Sequence, residues 1–269
     1  MKYRFLFIAF GLVLLVLACA SSLPVVQWAT PLNAEVAQPL KVAVLVDASY
    51  LRRAADQRSY ISIRDSITLG QLVNDETERG LTAAKMTITM QKKYFIAAYL
   101  QHEVNVAQEI GNEVFKKMPP VHLDPTVCRT DRMKRAVTEV WARFAAIAAE
   151  GEGALASELV PAWATQMLGS NFDADTIALV IAVVRKDDDV SPEVTAPNVR
   201  SILSSQSGSA IMVGLIRAVD GKIVYFSATS IQGPQRDTYT REAVAAVFAG
   251  LPKRTGHPPY PMPPIPRSD

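Results

Sequence analysis

His122, Asp124 and Cys128 lie within seven residues of one another and are the parts of a thiol nucleophile, its base and an orienting acid. Members of such a site normally converge from distant segments, and a cysteine in an ordinary setting is a small buried residue, so packing is the reading favoured here. His102-Glu103 opens like a zinc-protease helix, but position 106 is Val, and no second histidine completes the ligand pair. Asp187-Asp188-Asp189 concentrates charge without the alternating spacing and glycine of a calcium loop, and reads as a solvated turn. Ser205-Gln206-Ser207-Gly208-Ser209 lacks both the Gly-x-Ser-x-Gly frame of a hydrolase and the Lys-Ser/Thr ending of a phosphate loop. Lys92, Lys93, Arg129, Arg132, Lys134 and Arg135 read as solvated faces, with contact to anionic lipid or glycan as the alternative. The chain is therefore expected to hold no metal, no cofactor and no catalytic constellation. The enzymatic alternative is a secreted thiol hydrolase using Cys128 and His122.

The N-terminus carries chemistry of another kind. Lys2 and Arg4 precede an uncharged apolar run from Phe5 to Ala18, the length and composition of a signal-peptide core and short of the roughly 20 residues that a membrane span requires. Val16-Leu17-Ala18-Cys19 resembles a bacterial lipobox, in which the cysteine becomes the lipidated first residue, while Ala18-Cys19-Ala20 also fits an ordinary cleavage site after Ala20. Cys19 is read as the lipidation site, with a soluble secreted protein as the alternative. The lipobox resemblance implies anchoring on the periplasmic side, and Ala20 rather than Asp after the cysteine implies the outer membrane over the inner. If Cys19 is lipidated, Cys128 is a lone thiol; otherwise the two could form one disulfide.

Loss of residues 1–18 removes Lys2 and Arg4 and no acid, leaving 26 bases against 26 acids. A balanced charge argues against a nucleic-acid partner, which needs a concentrated basic field. At the other end, His257 to Arg267 holds prolines at 258, 259, 261, 263, 264 and 266, a composition that favours polyproline II. Such a segment is a semi-rigid spacer or a preformed ligand for an aromatic groove. On the second reading Tyr260, Pro261 and Pro264 are the candidate partner-binding residues.

The elements that must position these groups form one α/β domain over residues 40–251, between a tether at 19–39 and the tail at 252–269. Leu40 to Asp47 reads as a first strand ending at its aspartate. Leu69, Leu72, Val73 and Leu81 predict a helix from Thr68 to Ala84, and Met86 to Met90 a strand that Tyr94 to Leu100 continues or pairs with. Val104, Ala107, Ile110, Val114 and Phe115 predict a helix stopped by Pro119-Pro120. Thr130 is an N-cap before Asp131, and Met133, Val137, Val140, Trp141, Phe144 and Ile147 mark the clearest helix, ended at Gly151-Glu152-Gly153. Pro161 opens a short helix through Leu168, closed by Gly169. The apolar run after Asp173 is a strand buried on both faces. Asp220-Gly221 then turns a hairpin, both residues at positive φ, before a closing helix from Thr238 to Phe248. The expected fold is α/β with a mixed sheet, a C-terminal β-hairpin and a closing helix.

The order Ala174-Asp175, buried strand, Leu215 to Lys222, paired strand and C-terminal helix is similar to a group of bacterial envelope lipoproteins. These are the curli-secretion (CsgG-like) lipoproteins, the penicillin-binding-protein activator (LpoB-like) lipoproteins and the N-terminal domain of the Tol-system β-propeller protein. The resemblance covers Asp173 to about Leu251, with the turn shortened here to Asp220-Gly221. It implies a non-enzymatic factor that binds an envelope protein during secretion, cell-wall growth or assembly, with homo-oligomers possible and no catalytic residue carried over. An accessory lipoprotein of a transporter is the remaining alternative.

Overall fold

The computed structural model describes residues 25–28, 40–53, 59–95, 104–110, 112–118, 129–186, 209–231 and 236–251. At its centre, β2 (Lys41–Arg53) and β7 (Thr176–Lys186) run parallel, in register from Val42–Thr176 to Arg52–Lys186. β7 and the first half of β2 are apolar on successive residues because both faces of the sheet are covered there, so alternation would leave polar groups inside. β8 (Ser209–Arg217) and β9 (Ile223–Ile231) add antiparallel to β7 as a hairpin, and β1 (Val25–Trp28) closes that edge against β9. On its other edge β2 pairs with β4 (Thr87–Phe95) along its first half and with β3 (Ser59–Ser62) near its end. Beyond β3 lie β5 (Val104–Ile110) and β6 (Asn112–Met118). The nine strands make one mixed sheet, as the sequence predicts.

Helices cover both faces. Toward one, Leu45, Leu51, Ile177, Leu179, Ile181 and Phe226 meet α2 (Asp131–Glu150), α3 (Glu152–Ser157) and α4 (Ala162–Phe172). Toward the other, Val42, Val44, Val46, Val180, Val213 and Tyr225 meet α1 (Ile63–Ala83) and α5 (Arg236–Ala249). The alternation of strand side chains sorts neighbouring residues into these two cores. Fully burying each large aliphatic chain contributes about 1.5–3 kcal/mol, so two closed cores outweigh any single polar contact at the surface.

Local rules place the helix starts. Thr130 accepts a hydrogen bond on Oγ1 from the Met133 amide, the expected N-cap of α2. α1 begins at Ile63, five residues before the expected Thr68, because Ser62 accepts from the Asp65 amide. Ser66 Oγ donates to the Ser62 carbonyl and accepts from the Tyr50 amide, which stitches the start of α1 to β2. α4 runs through Gly169 to Phe172, and Asp173 in a left-handed conformation ends it instead of the glycine.

Four expectations are corrected. Residues 104–118 are two antiparallel strands rather than a helix. The Val104-x-Val106-x-x-x-Ile110 run satisfies strand alternation as well as helical spacing, and pairing of β5 with β3 decides between them. β2 does not stop at Asp47 but continues six residues, its polar second half carried by β7 on one side. At the β8–β9 turn only Gly221 has positive φ, at 74°, because the connection spans Ala218 to Gly221 and closes with Gly221 donating to the Arg217 carbonyl. A segment expected as plain tether also contains β1.

Candidate functional site

The residues singled out by type alone fall mostly outside the described residues. Cys19, His102, His122, Asp124, Cys128, Asp187 to Asp189, Tyr260, Pro261 and Pro264 are all there. Among the described residues no group of three His, Cys, Asp or Glu could hold a metal, and no helix is long and apolar enough to cross a membrane. Asp47 is fully buried, on the sheet face that also carries Leu45 and Leu51, and so is closed to a substrate from solvent.

A surface built at the end of the sheet where β2 and β7 begin is better formed. The β8–β9 turn folds back onto the segment before α4: the Val160 amide donates to the Gly221 carbonyl at 2.9 Å, and Leu159 bridges to Lys222. The first turns of α4 hold the same loop. Thr165 Oγ1 donates to the Ala218 carbonyl at 2.9 Å and Gln166 Nε2 to the Val219 carbonyl at 2.7 Å. Ala218 packs directly on Gly169, where a Cβ would come within 2.6 Å of its methyl. Leu159, Trp163 and Val219, at 52%, 41% and 64% the exposed large hydrophobics among the described residues, all lie on the two segments that these contacts join. Three such side chains on two segments bonded to each other make a candidate binding patch, whereas single exposed apolar residues are ordinary.

Charge frames the patch. Arg135 of α2 lies over the Trp163 ring at 5.8 Å from its centre, a cation–π contact that holds the ring. Of the basic cluster at the start of α2, this residue reaches an aromatic partner, while Lys134 pairs with Asp131 on the exposed surface. Arg143 pairs with Glu158, tying α2 to the residue before Leu159. Arg217 pairs with Asp220 across the turn, and Asp220 also accepts from the Lys222 amide at 3.1 Å. The Arg217 hydrogen bond pulls the Asp220 carboxyl below its ordinary range against a smaller opposing effect of burial.

Alongside, Asp175 of the Ala174-Asp175 pair accepts from the Lys41 amide at 3.1 Å, and its own amide donates to the Lys41 carbonyl. It therefore fixes the start of β2 against the start of β7, which is a structural role. Lys41 Nζ donates to Asp173 at 2.8 Å, and that bond raises the Lys41 pKa.

Sequence reasoning missed this surface. Leu159, Trp163 and Val219 come from two segments with no shared spacing, and the lone cue is an aromatic residue placed two positions after Pro161. What the patch can do is bind. It offers apolar area framed by the Arg143–Glu158 and Arg217–Asp220 pairs.

No protein-family model matches the chain, and no curated protein matches it. Among solved structures, the PelC dodecamer from Paraburkholderia phytofirmans is similar at 11% identity and a TM-score of 0.36, over 86% of this chain and 98% of that one. A single-site variant of that dodecamer gives a TM-score of 0.35 at the same identity and coverage. Likeness at this level carries no argument about fold or function.

Proposed function

We propose that the protein is an exported, lipid-anchored factor of a bacterial cell envelope that works by binding other proteins during assembly or secretion, not by catalysis. The observation that carries this reading is Cys19 directly after an uncharged apolar run preceded by Lys2 and Arg4. On this reading the chain sits at the periplasmic face of the outer membrane and belongs with the curli-secretion, penicillin-binding-protein activator and Tol-propeller lipoproteins. β1 and β6 end the strand order, and sheet ends are where copies of a chain can add to one another.

The test is the chemistry of the mature N-terminus. Mass spectrometry of the protein from membranes should find a diacylated or triacylated Cys19, and the protein should partition into detergent. Cys19→Ala should block processing or release the chain. An unmodified mature N-terminus at Ser21 removes the lipid-anchored reading.

A further inference from the structure

We propose that the Leu159–Trp163–Val219 surface is the docking site for this chain's own proline-rich tail, residues 252–269. The proposal rests on that surface being a binding site and not on the lipid anchor.

Position comes first. Tyr225 Oη donates to the Val247 carbonyl, which fastens the last turn of α5 to β9 two residues after that strand begins. Leu251 is buried and its amide donates to the Phe248 carbonyl at 3.1 Å, so the chain is held down to its last described residue. The tail therefore departs at the same end of the sheet as the β8–β9 turn that carries Val219. Reach is sufficient. Tyr260 is nine residues past Leu251, and nine extended residues reach at most about 30 Å. Passing from the α5 layer round the sheet end to the α4 layer crosses two packed spacings of about 10 Å each.

The chemistry is complementary. A prolyl residue offers a carbonyl acceptor and no N–H, and polyproline II satisfies none of its carbonyls internally. Trp163 and Arg135 carry N–H groups, an indole and a guanidinium, on the same side as the apolar area of Leu159 and Val219. Arg135 holds the Trp163 ring before any ligand arrives, and a proline-rich segment has little conformational freedom left to lose, so both sides are preorganised.

Photo-crosslinking tests this on the full chain. With Tyr260 replaced by p-benzoylphenylalanine, irradiation should give a product at monomer mass whose linked peptide contains residues 159–166 or 218–222. Trp163→Ala and Val219→Asp, both at exposed positions, should each abolish that product while changing the melting temperature no more than removal of residues 252–269 does. The crosslink should persist in Cys19→Ala, so a failure of anchoring and a failure of docking are separable. Crosslinks between two copies, to lipid or elsewhere on the same chain would each overturn the assignment, and so would the absence of any crosslink.

Discussion

Gly214 in the middle of β8 shows how single residues set this fold. The ring of Phe144 rests where its Cβ would stand, and Phe144 in turn meets Phe226 with ring centres 6.0 Å apart. Gly214→Ala forces the fully buried Phe144 off its seat, and a loss of about 1–3 kcal/mol is expected in urea unfolding; an unchanged midpoint would show that the ring has room to move. Gly221 is constrained twice, by its φ of 74° and by the Val160 carbonyl oxygen that a Cβ would strike. Gly221→Val should cost about 3 kcal/mol, since a β-branched residue in that conformation carries strain even without the clash. Beside it, Asp220 gives a pH signature. Its carboxyl titrates below the ordinary aspartate value because of Arg217, so the stability it contributes is present above that ordinary value and is lost as pH falls through the lowered one. Asp220→Asn should flatten this part of the acid limb in a plot of urea midpoint against pH. An identical limb in both proteins would mean that the ion pair is screened to nothing, as surface pairs often are.

At the scale of elements, the caps decide where helices begin, and two of them invite direct measurement. Ser62→Ala removes the acceptor for the Asp65 amide at the start of α1, and Thr130→Ala removes the acceptor for the Met133 amide at the start of α2. Each should lower stability by about 1 kcal/mol, read as a shift in thermal midpoint; no shift would mean that water replaces the hydroxyl at no cost. α2 was legible in the sequence because its cap, its anionic first turn and its apolar stripe all agree. The β7 run and the closing helix were legible for a similar reason, since burial on both faces or on one stripe leaves an unambiguous pattern. Residues 48–53 were not, because Ser49, Tyr50, Arg52 and Arg53 carry no apolar run, and it is pairing with β7 and β3 that makes them strand. Residues 104–118 failed differently: Val104, Ala107, Ile110 and Val114 fit a helical stripe, and the competing alternation won through a partner strand distant in sequence. The docking surface left no periodic trace at all. It exists because the Val160 amide meets the Gly221 carbonyl, sixty-one residues apart in a fold that sequence spacing does not encode.

For the whole molecule, the question is where the cooperative unit ends. α5 closes one of the two cores: Thr240, Ala243, Val244, Val247, Phe248 and Leu251 are buried, and Phe248 fits over Gly80 of α1, where a Cβ would come within 2.6 Å of its ring. Removing α5 would uncover Val213, Leu215 and Tyr225 in the sheet together with the facing side of α1. A chain ending at residue 235 is therefore expected not to fold, and Phe248→Ala to lose about 3 kcal/mol or more through the cavity it leaves. A chain ending at Leu251 keeps every one of these contacts, including the bond from Tyr225 to the Val247 carbonyl. Its melting temperature should match that of the full chain, apart from the small gain that a docked tail contributes by mass action within one molecule. Calorimetry on the two chains settles the boundary. A drop of more than a few degrees on removal of residues 252–269 would mean that the tail is part of the core rather than a ligand resting on it. Equal stability, with Trp163 newly accessible to a soluble quencher in the shorter chain, is the result expected of a tail that docks on a finished fold.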